Sequence, residues 1–245
     1  MNDDVNVTGI VLSSQPQGEY DRRIVLLTKE RGKISAFANG ARRPTSRLLA
    51  STNAFSYGSF ELYEGRNSFT LKNASIKDHF ENLVNDLDEI LFASYFSEVT
   101  MYYSRENADE KFRLLLILYA FSALQKKQIP LPLLKAIFEL KTLSINGEAP
   151  NFFSCMDCGS EENLDFFSMK KRGMICKDCA SAEDNLIPVP QSLLYAFQFT
   201  YATEPSKLFS FLLKPEIEKE YISIVEKYRK AYFYHKFDSE SFLPG

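Results

Sequence analysis

The first third of the chain alternates apolar and polar residues, as β-strands with one buried face do. Val5 and Val7 begin this alternation, and turn residues interrupt it at Gly18 and at Arg31-Gly32. Between residues 5 and 76 the pattern predicts five short strands and no helix. Five short strands suit a small closed barrel, because closure removes exposed sheet edges. We expect an oligonucleotide-binding (OB) barrel, with a small SH3-like barrel as the alternative.

From residue 77 onward the apolar residues recur at the helical period of 3.6 residues. The stretch Phe112–Leu124 is apolar nearly all round, which is typical of a buried helix at the centre of a bundle. Asn146-Gly147 is a good helix stop, and Pro190 and Pro215 suit the first turns of two later helices.

These patterns together predict an α+β chain in which an OB barrel precedes an α-helical bundle. A zinc-ribbon-like hairpin, described next, is inserted between helices of that bundle. The predicted domains are an OB-fold DNA-binding domain at 1–77, a helical domain at 78–245, and a Cys₄ insertion at 151–187 within the helical domain.

All four cysteines of the chain lie in one C-x₂-C-x₁₇-C-x₂-C pattern: Cys155, Cys158, Cys176 and Cys179. Each pair places two sulfurs in a tight turn, and the residues between the pairs can form a hairpin that returns the chain to the same point. Four thiolates around one ion make the closed tetrahedral site that structural zinc occupies. We predict one structural zinc ion, although four cysteines can also hold a single iron.

Other uses of these cysteines are less well supported. Residues 1–4 have neither the positive charge nor the apolar run of a signal peptide, so an oxidising compartment and a disulfide framework are not indicated. A thioredoxin-like redox motif would explain one C-x₂-C pair but not two. The longest strongly apolar run, 112–124, has 13 residues and is too short to cross a bilayer. We expect a cytoplasmic protein with no membrane partner.

Positive charge is concentrated near the N-terminus. Residues 1–76 hold 10 Lys and Arg against 7 Asp and Glu, whereas the rest of the chain holds 19 against 25. Three arginines, Arg42, Arg43 and Arg47, lie in the connection between the third and fourth predicted strands, which we expect to be a mobile loop. A guanidinium group can form two parallel hydrogen bonds to one phosphate, and it can also stack on a base. We predict that these arginines and Lys33 contact nucleic acid; the alternative is a merely solvated loop.

No catalytic motif emerges. His79-Phe80-Glu81 followed by Cys155 resembles part of a zinc deaminase, but no proline precedes Cys155 and the second cysteine pair would be unused. A Cys₄ site also lacks an open position for water. The chain has no phosphate-binding loop, dinucleotide-binding glycine run or nucleophile elbow. We expect a binding protein, not an enzyme.

The order of these parts resembles the bacterial RecO family of DNA repair and recombination mediators. The segments that carry the resemblance are Gly18-Glu-Tyr-Asp21, Leu27-Thr28, Gly32-Lys33-Ile34, Gly40-Ala-Arg-Arg43, Ser46-Arg47, Phe138-Glu-Leu, Gly147-Glu-Ala-Pro150, Cys155 to Gly159 and Ser241-Phe-Leu243. One departure is Arg172-Gly173, where the family usually has two glycines. This departure puts the detail of the hairpin in doubt and leaves the four cysteines intact.

The resemblance implies a function that composition does not. RecO proteins bind single- and double-stranded DNA, anneal complementary strands coated with single-strand-binding protein (SSB), and act with RecR to load recombinase. The barrel would hold the DNA backbone, and the helical domain would receive the acidic tail of SSB; annealing would need no ATP, and the protein would be nucleoid-associated. The remaining alternative is a zinc-ribbon scaffold that binds only protein.

Overall fold

The computed structural model describes residues 4–66, 68–180, 185–232 and 235–244. The chain divides into two compact units, of which the first comprises residues 1–126 and 237–245 and the second residues 127–236. The predicted boundary at residue 77 marks the change from strand to helix, whereas the first compact unit continues to Lys126. As a division into domains, 1–77 and 78–245 stay a prediction.

Five strands of the first unit close into a barrel with the order β1-β2-β3-β5-β4. The strands are β1 Asp4–Gln17, β2 Asp21–Thr28, β3 Gly32–Ala38, β4 Tyr57–Glu64 and β5 Phe69–Asp78. All paired strands are antiparallel except β3 and β5, which run parallel where Ala36 faces Phe69 and Phe37 faces Thr70. A closed five-stranded barrel that is followed in the chain by helices confirms the predicted OB fold.

The alternation read from the sequence places the barrel core. On β3 the side chains of Ile34, Ala36 and Ala38 are buried inside, and the side chain of Phe37 faces outward. Strand β2 follows the same rule, with Ile24 buried between more exposed neighbours. The inner side chains form one apolar cluster, whose members are Val7, Val11, Ile24, Leu26, Ile34, Ala36, Ala38, Ala41, Phe60, Leu62 and Leu71.

Two helices follow the barrel within the first unit, α1 Leu87–Tyr103 and α2 Lys111–Lys126. Asp86 begins α1, because its carboxylate accepts the N–H groups of Asp88 and Glu89. The ring of Phe121 on α2 packs edge-to-face with Phe55 and Phe80, and the ring centroids are 5.2 and 5.4 Å apart. Helix α2 therefore belongs to the same compact unit as the barrel and α1. Contrary to the prediction from its sequence, it is not the centre of a separate helical bundle.

The last described residues return to the first unit and form a 3-10 helix, Ser239–Phe242. The buried ring of Phe237 packs against Tyr95 and Tyr102 of α1, with ring centroids 5.8 and 5.6 Å apart. The carboxylate of Glu98 accepts the N–H groups of Asp238 and Ser239 and the Ser239 hydroxyl. These contacts fasten the C-terminal segment to α1.

The second unit combines helices with a small three-stranded sheet of order β7-β6-β8. Its elements are α3 Leu131–Asn146, β6 Phe166–Ser168, β7 Gly173–Ile175, β8 Ile187–Pro188, α4 Gln191–Ala202, α5 Pro205–Leu208 and α6 Pro215–Tyr232. The predicted stop at Gly147 and the predicted start at Pro215 agree with the bounds of α3 and α6, and α4 begins one residue after Pro190.

The core of the second unit is aromatic. The rings of Phe152, Phe197 and Tyr221 stack in series with centroids 4.8 Å apart at each step. A buried ion pair between Glu139 of α3 and Arg229 of α6, 3.1 Å apart, joins these two helices. Across the described parts of both units, no helix has the length and apolar character needed to span a bilayer.

Candidate nucleic-acid interface and metal centre

The arginine-bearing connection, residues 39–56, is a series of hydrogen-bonded turns, and its predicted mobility stays a prediction. Two residues at the start of β2 hold it. Asp21 accepts the N–H of Gly40 through its carboxylate at 2.6 Å. The half-buried guanidinium of Arg22 donates to three groups of the connection at 2.8–3.0 Å: the carbonyl of Leu49, the hydroxyl of Thr52 and the amide oxygen of Asn53.

The three predicted arginines of this connection are exposed. Arg42 is tied to the β1–β2 turn: its N–H donates to the Tyr20 carbonyl at 2.8 Å, and its guanidinium donates to the carbonyls of Gly18 and Glu19 at 3.2 and 3.1 Å. The guanidinium of Arg43 lies over the Tyr20 ring, 5.1 Å from its centroid. The structure thus joins Arg42 and Arg43 to one turn.

Arg22 and Arg42 carry positive charges that lie near each other at this end of the barrel. Burial lowers the pKa of the Arg22 guanidinium, and the positive charge of Arg42 lowers it further. These two cations repel each other. A phosphate bound between them would reduce that repulsion, which would favour its binding.

Three further residues of this surface were missed from the sequence: Tyr20, Arg23 and Phe37. Arg23 and Phe37 face each other across the β2–β3 ladder, and both side chains are exposed. The guanidinium of Arg23 donates to the hydroxyl of Ser35 at 3.0 Å. Strands 2 and 3 of OB folds commonly carry the ligand-binding face. The strand alternation, which sets Arg23 and Phe37 opposite to the core residues, was the signal that could have identified them.

Lys33, the fourth predicted contact, has a different environment. Its ammonium donates to the Met101 carbonyl of α1 at 2.9 Å, and its N–H donates to the Arg105 carbonyl at 2.9 Å. The side chain is half-buried. These bonds place Lys33 between β3 and the end of α1, and its predicted phosphate contact stays a prediction.

The four cysteines meet in the second unit, with every sulfur within 4.8 Å of the others. The Sγ atoms of Cys158 and Cys176 are 3.7 Å apart. A tetrahedral zinc ion with sulfur ligands at about 2.3 Å would place the sulfurs about 3.8 Å apart, so the donor set fits such an ion. The left-handed Gly159, at φ 77°, closes the first turn by donating its N–H to the Cys155 carbonyl at 2.9 Å.

The surroundings of the thiols shift their pKa values in opposite directions. Burial raises the pKa of Cys155, but hydrogen bonds from the backbone N–H groups of Cys176, Cys158 and Asp157 outweigh it and bring that pKa to about 6. Burial raises the pKa of Cys176, and hydrogen bonds with the other thiols raise that of Cys179. One thiolate therefore makes ionisation of the neighbouring thiols less favourable. A bound metal cation would offset the repulsion between the thiolates.

The hairpin that carries the second cysteine pair forms despite the departure at Arg172. Strands β6 and β7 pair antiparallel from Phe166–Ile175 to Ser168–Gly173. Arg172 adopts the left-handed conformation, at φ 57°, that glycine would favour. The doubt about the hairpin is thereby resolved: arginine takes the glycine conformation.

Within the described residues, the four cysteines are the group of potential metal ligands that the fold assembles. His79 takes no part in it and instead pairs its Nδ1 with the Ser56 hydroxyl at 3.2 Å. This arrangement gives no support to the deaminase-like reading of His79 and Glu81.

The fold and the two sites define a class of protein: an OB barrel with a basic, partly aromatic surface, followed by a helical unit that carries a Cys₄ centre. The family described as Recombination protein O N terminal matches residues 1–80, and Recombination protein O C terminal matches residues 84–241. The chain belongs to the RecO family, which supports a role in DNA repair and recombination.

Curated relatives agree along nearly the whole chain. The DNA repair protein RecO of Acetivibrio thermocellus is 31% identical over 228 residues, which cover 92% of this chain and 90% of that protein. The DNA repair protein RecO of Halalkalibacterium halodurans is 29% identical, with 96% and 92% covered. That of Thermoanaerobacter sp. is 28% identical, with 96% and 94% covered.

Proposed function

We propose that the protein binds single- and double-stranded DNA at the β1–β2 end of its barrel and anneals complementary SSB-coated strands without ATP. The observation that carries this proposal is the ordered arginine connection. A solvated loop needs no anchors, yet Asp21 and Arg22 fix this one and leave Arg42, Arg43 and Arg47 exposed. A connection fixed in this way loses less backbone freedom when its arginines bind phosphate.

The contacts to DNA are proposed to be mainly with the backbone. Arginine contacts to phosphates position a strand but carry no sequence information. Annealing needs no nucleotide hydrolysis, because base pairing itself supplies the driving free energy. A protein with this task should bind unrelated sequences with similar affinity.

A salt titration of binding to single-stranded DNA tests the proposal. Each phosphate contact to a single strand contributes about 0.7 to the slope of log K against log salt, so Arg42/Arg43/Arg47→Ala should flatten the slope by about 2. The matched control, Lys29/Lys77/Lys126→Ala, removes three exposed charges elsewhere in the first unit and should leave the slope nearly unchanged. Equal slopes for wild type and the arginine variant would mean that these arginines do not contact phosphates and that the connection is a solvated surface.

For SSB we propose the second unit as the receiver of its acidic, apolar tail. An aromatic strip runs along α4 and the segment after it, where Tyr195 contacts Phe199 and Phe199 contacts Phe211 at centroid distances of 6.3 and 5.3 Å. Tyr195 and Leu212 are each 65% exposed. Large contiguous apolar patches mark interaction surfaces, and we propose that these side chains contribute to one. Lys207 and Lys214 flank Phe211 and Leu212 in sequence and would attract acidic residues of the tail.

The Cys₄ centre is proposed to hold one zinc ion with a structural task. Zinc would join the two cysteine turns and so stabilise the hairpin. The protein would act in the cytoplasm at the nucleoid, together with RecR, to load recombinase onto the strands that it handles.

A further inference from the structure

Tyr20 is a large aromatic residue in an exposed turn. It lies between β1 and β2, and 43% of its surface is exposed. Phe37, on the outer face of β3, is 36% exposed. Each of these rings has an exposed arginine beside it: Arg43 lies over Tyr20, and Arg23 faces Phe37 across the β2–β3 ladder.

The fold holds Tyr20 in place instead of leaving it loose. The Tyr20 carbonyl accepts the N–H of Arg42, and the Arg42 guanidinium binds the two preceding carbonyls. The Arg43 guanidinium lies over the ring. A hydrogen bond with Glu19 raises the pKa of the Tyr20 hydroxyl, which is neutral at pH 7 even without that shift.

We infer that Tyr20 is a stacking platform for an unpaired base, with Arg43 against the ring and Phe37 as a second aromatic contact on the neighbouring strands. The inference rests on the proposed DNA binding and adds a preference to it. Bases in a duplex are stacked on one another, so their faces are closed to a side chain, whereas an unpaired base can stack on an aromatic ring. Tyr20 should therefore favour single over double strands without favouring any sequence.

The chemistry separates the two parts of the site. Arg42, Arg43 and Arg47 act on phosphates, which both forms of DNA present, and their contribution weakens with salt. The Tyr20 ring acts on base faces, and its contribution should persist when salt is raised. Loss of the ring should therefore change the affinity for single strands but not the salt slope.

A single tryptophan gives a direct reading of stacking, because the chain contains none. Tyr20→Trp should keep its affinity for an oligo-dT strand, and its fluorescence should be quenched as the strand binds. An abasic oligonucleotide of the same length offers the phosphates without the bases, so at saturation it should leave the fluorescence nearly unchanged. A blunt duplex should do the same.

Affinity measurements supply the second test. Tyr20→Ala should weaken binding to single strands by about fivefold or more and leave duplex binding and the salt slope unchanged. Tyr20→Phe, which keeps an aromatic ring, should bind single strands like wild type. Tyr119→Ala is the matched control, because Tyr119 lies on α2 of the same unit and is 38% exposed. It should bind both forms like wild type.

The outcomes distinguish this inference from the proposed function. If the Tyr20→Trp protein binds oligo-dT with unquenched fluorescence, or if duplex quenches it as strongly, the stacking platform is wrong while DNA binding stands. If the wild-type protein binds no DNA of either form, the proposed function itself is wrong.

Discussion

Arg172 shows how a single side chain can offset a backbone conformation that costs free energy. Its left-handed φ of 57° costs a non-glycine residue about 1–2 kcal/mol. The guanidinium in return donates to the Tyr228 hydroxyl at 2.9 Å and to the Glu148 carbonyl at 3.3 Å, and it lies 4.5 Å from the centre of the Tyr232 ring. The hairpin turn is thereby tied to α6 and to the end of α3.

Substitutions at this residue should separate the two effects. Arg172→Ala keeps the backbone cost and loses the contacts, so we expect it to destabilise the second unit by about 2 kcal/mol. Arg172→Gly loses the same contacts but removes the backbone cost, so it should be about 1 kcal/mol more stable than the alanine variant. Urea denaturation of the metal-loaded proteins measures both. If the alanine variant were the more stable of the two, the account of backbone strain would be wrong.

Gly32 meets a different requirement, close approach combined with positive φ. It has φ 64°, and a Cβ there would clash with the carbonyl of Arg105. Gly32→Ala should destabilise the first unit by about 2 kcal/mol or more. Gly18→Ala is the control, because Gly18 has φ 61° with open space around the missing Cβ, so it should cost only about 1 kcal/mol. Equal losses in thermal denaturation would show that the approach of Arg105 contributes nothing.

At the scale of elements, the cysteine hairpin has few backbone hydrogen bonds of its own, because β6, β7 and β8 hold only three, three and two residues. Metal ligation should therefore supply much of its stability, and in zinc-finger peptides that contribution is about 10–16 kcal/mol. We predict one zinc per chain by metal analysis. Cys176→Ala should lower the melting temperature and solubility.

Chelation provides the control for that variant. Wild-type protein stripped of metal should melt like Cys176→Ala, and added zinc should restore only the wild type. The arginine connection lies in the other compact unit, so the salt slope of DNA binding should change little in folded Cys176→Ala. A metal-free protein with an unchanged melting curve would contradict a structural role, and bound iron would correct the identity of the ion.

Hydrophobic periodicity was sufficient to predict the strands and most helices, and the spacing of the four cysteines was sufficient to predict that they meet. The order of residues 39–56 could not be predicted in this way, since its anchors, Asp21 and Arg22, lie about twenty to thirty residues away along the chain. The same limit applies to α2: an apolar helix must be buried, but its sequence does not say against what. Tyr20 was missed because an aromatic residue in a turn looks like ordinary surface.

At the scale of the molecule, the surface proposed for DNA and the surface proposed for SSB belong to different compact units. The exposed arginines and Tyr20 belong to the first, and the aromatic strip of Tyr195, Phe199, Phe211 and Leu212 belongs to the second. This separation suits a protein that must hold DNA and a DNA-bound protein at the same time. It also means that the two contacts should be removable one at a time.

Annealing of SSB-coated strands provides the test at this scale. Wild-type protein should anneal two labelled complementary strands without nucleotide, whether the strands are naked or coated, as followed by fluorescence quenching. Tyr195→Glu adds negative charge to the aromatic strip, so it should lose capture of SSB and slow annealing of coated strands by at least tenfold while naked strands anneal normally. SSB without its acidic tail should have the same effect on the wild-type protein.

Arg42/Arg43/Arg47→Ala should give the opposite pattern, because it removes phosphate contacts and leaves the aromatic strip intact. It should capture SSB normally in a pull-down and lose annealing on naked and coated strands alike. The two variants thus report on separate surfaces, and each is the control for the other. A requirement for ATP on coated strands, or equal annealing with tailless SSB, would contradict the mechanism. Loss of SSB capture in the arginine variant would show that the two contacts are not separate.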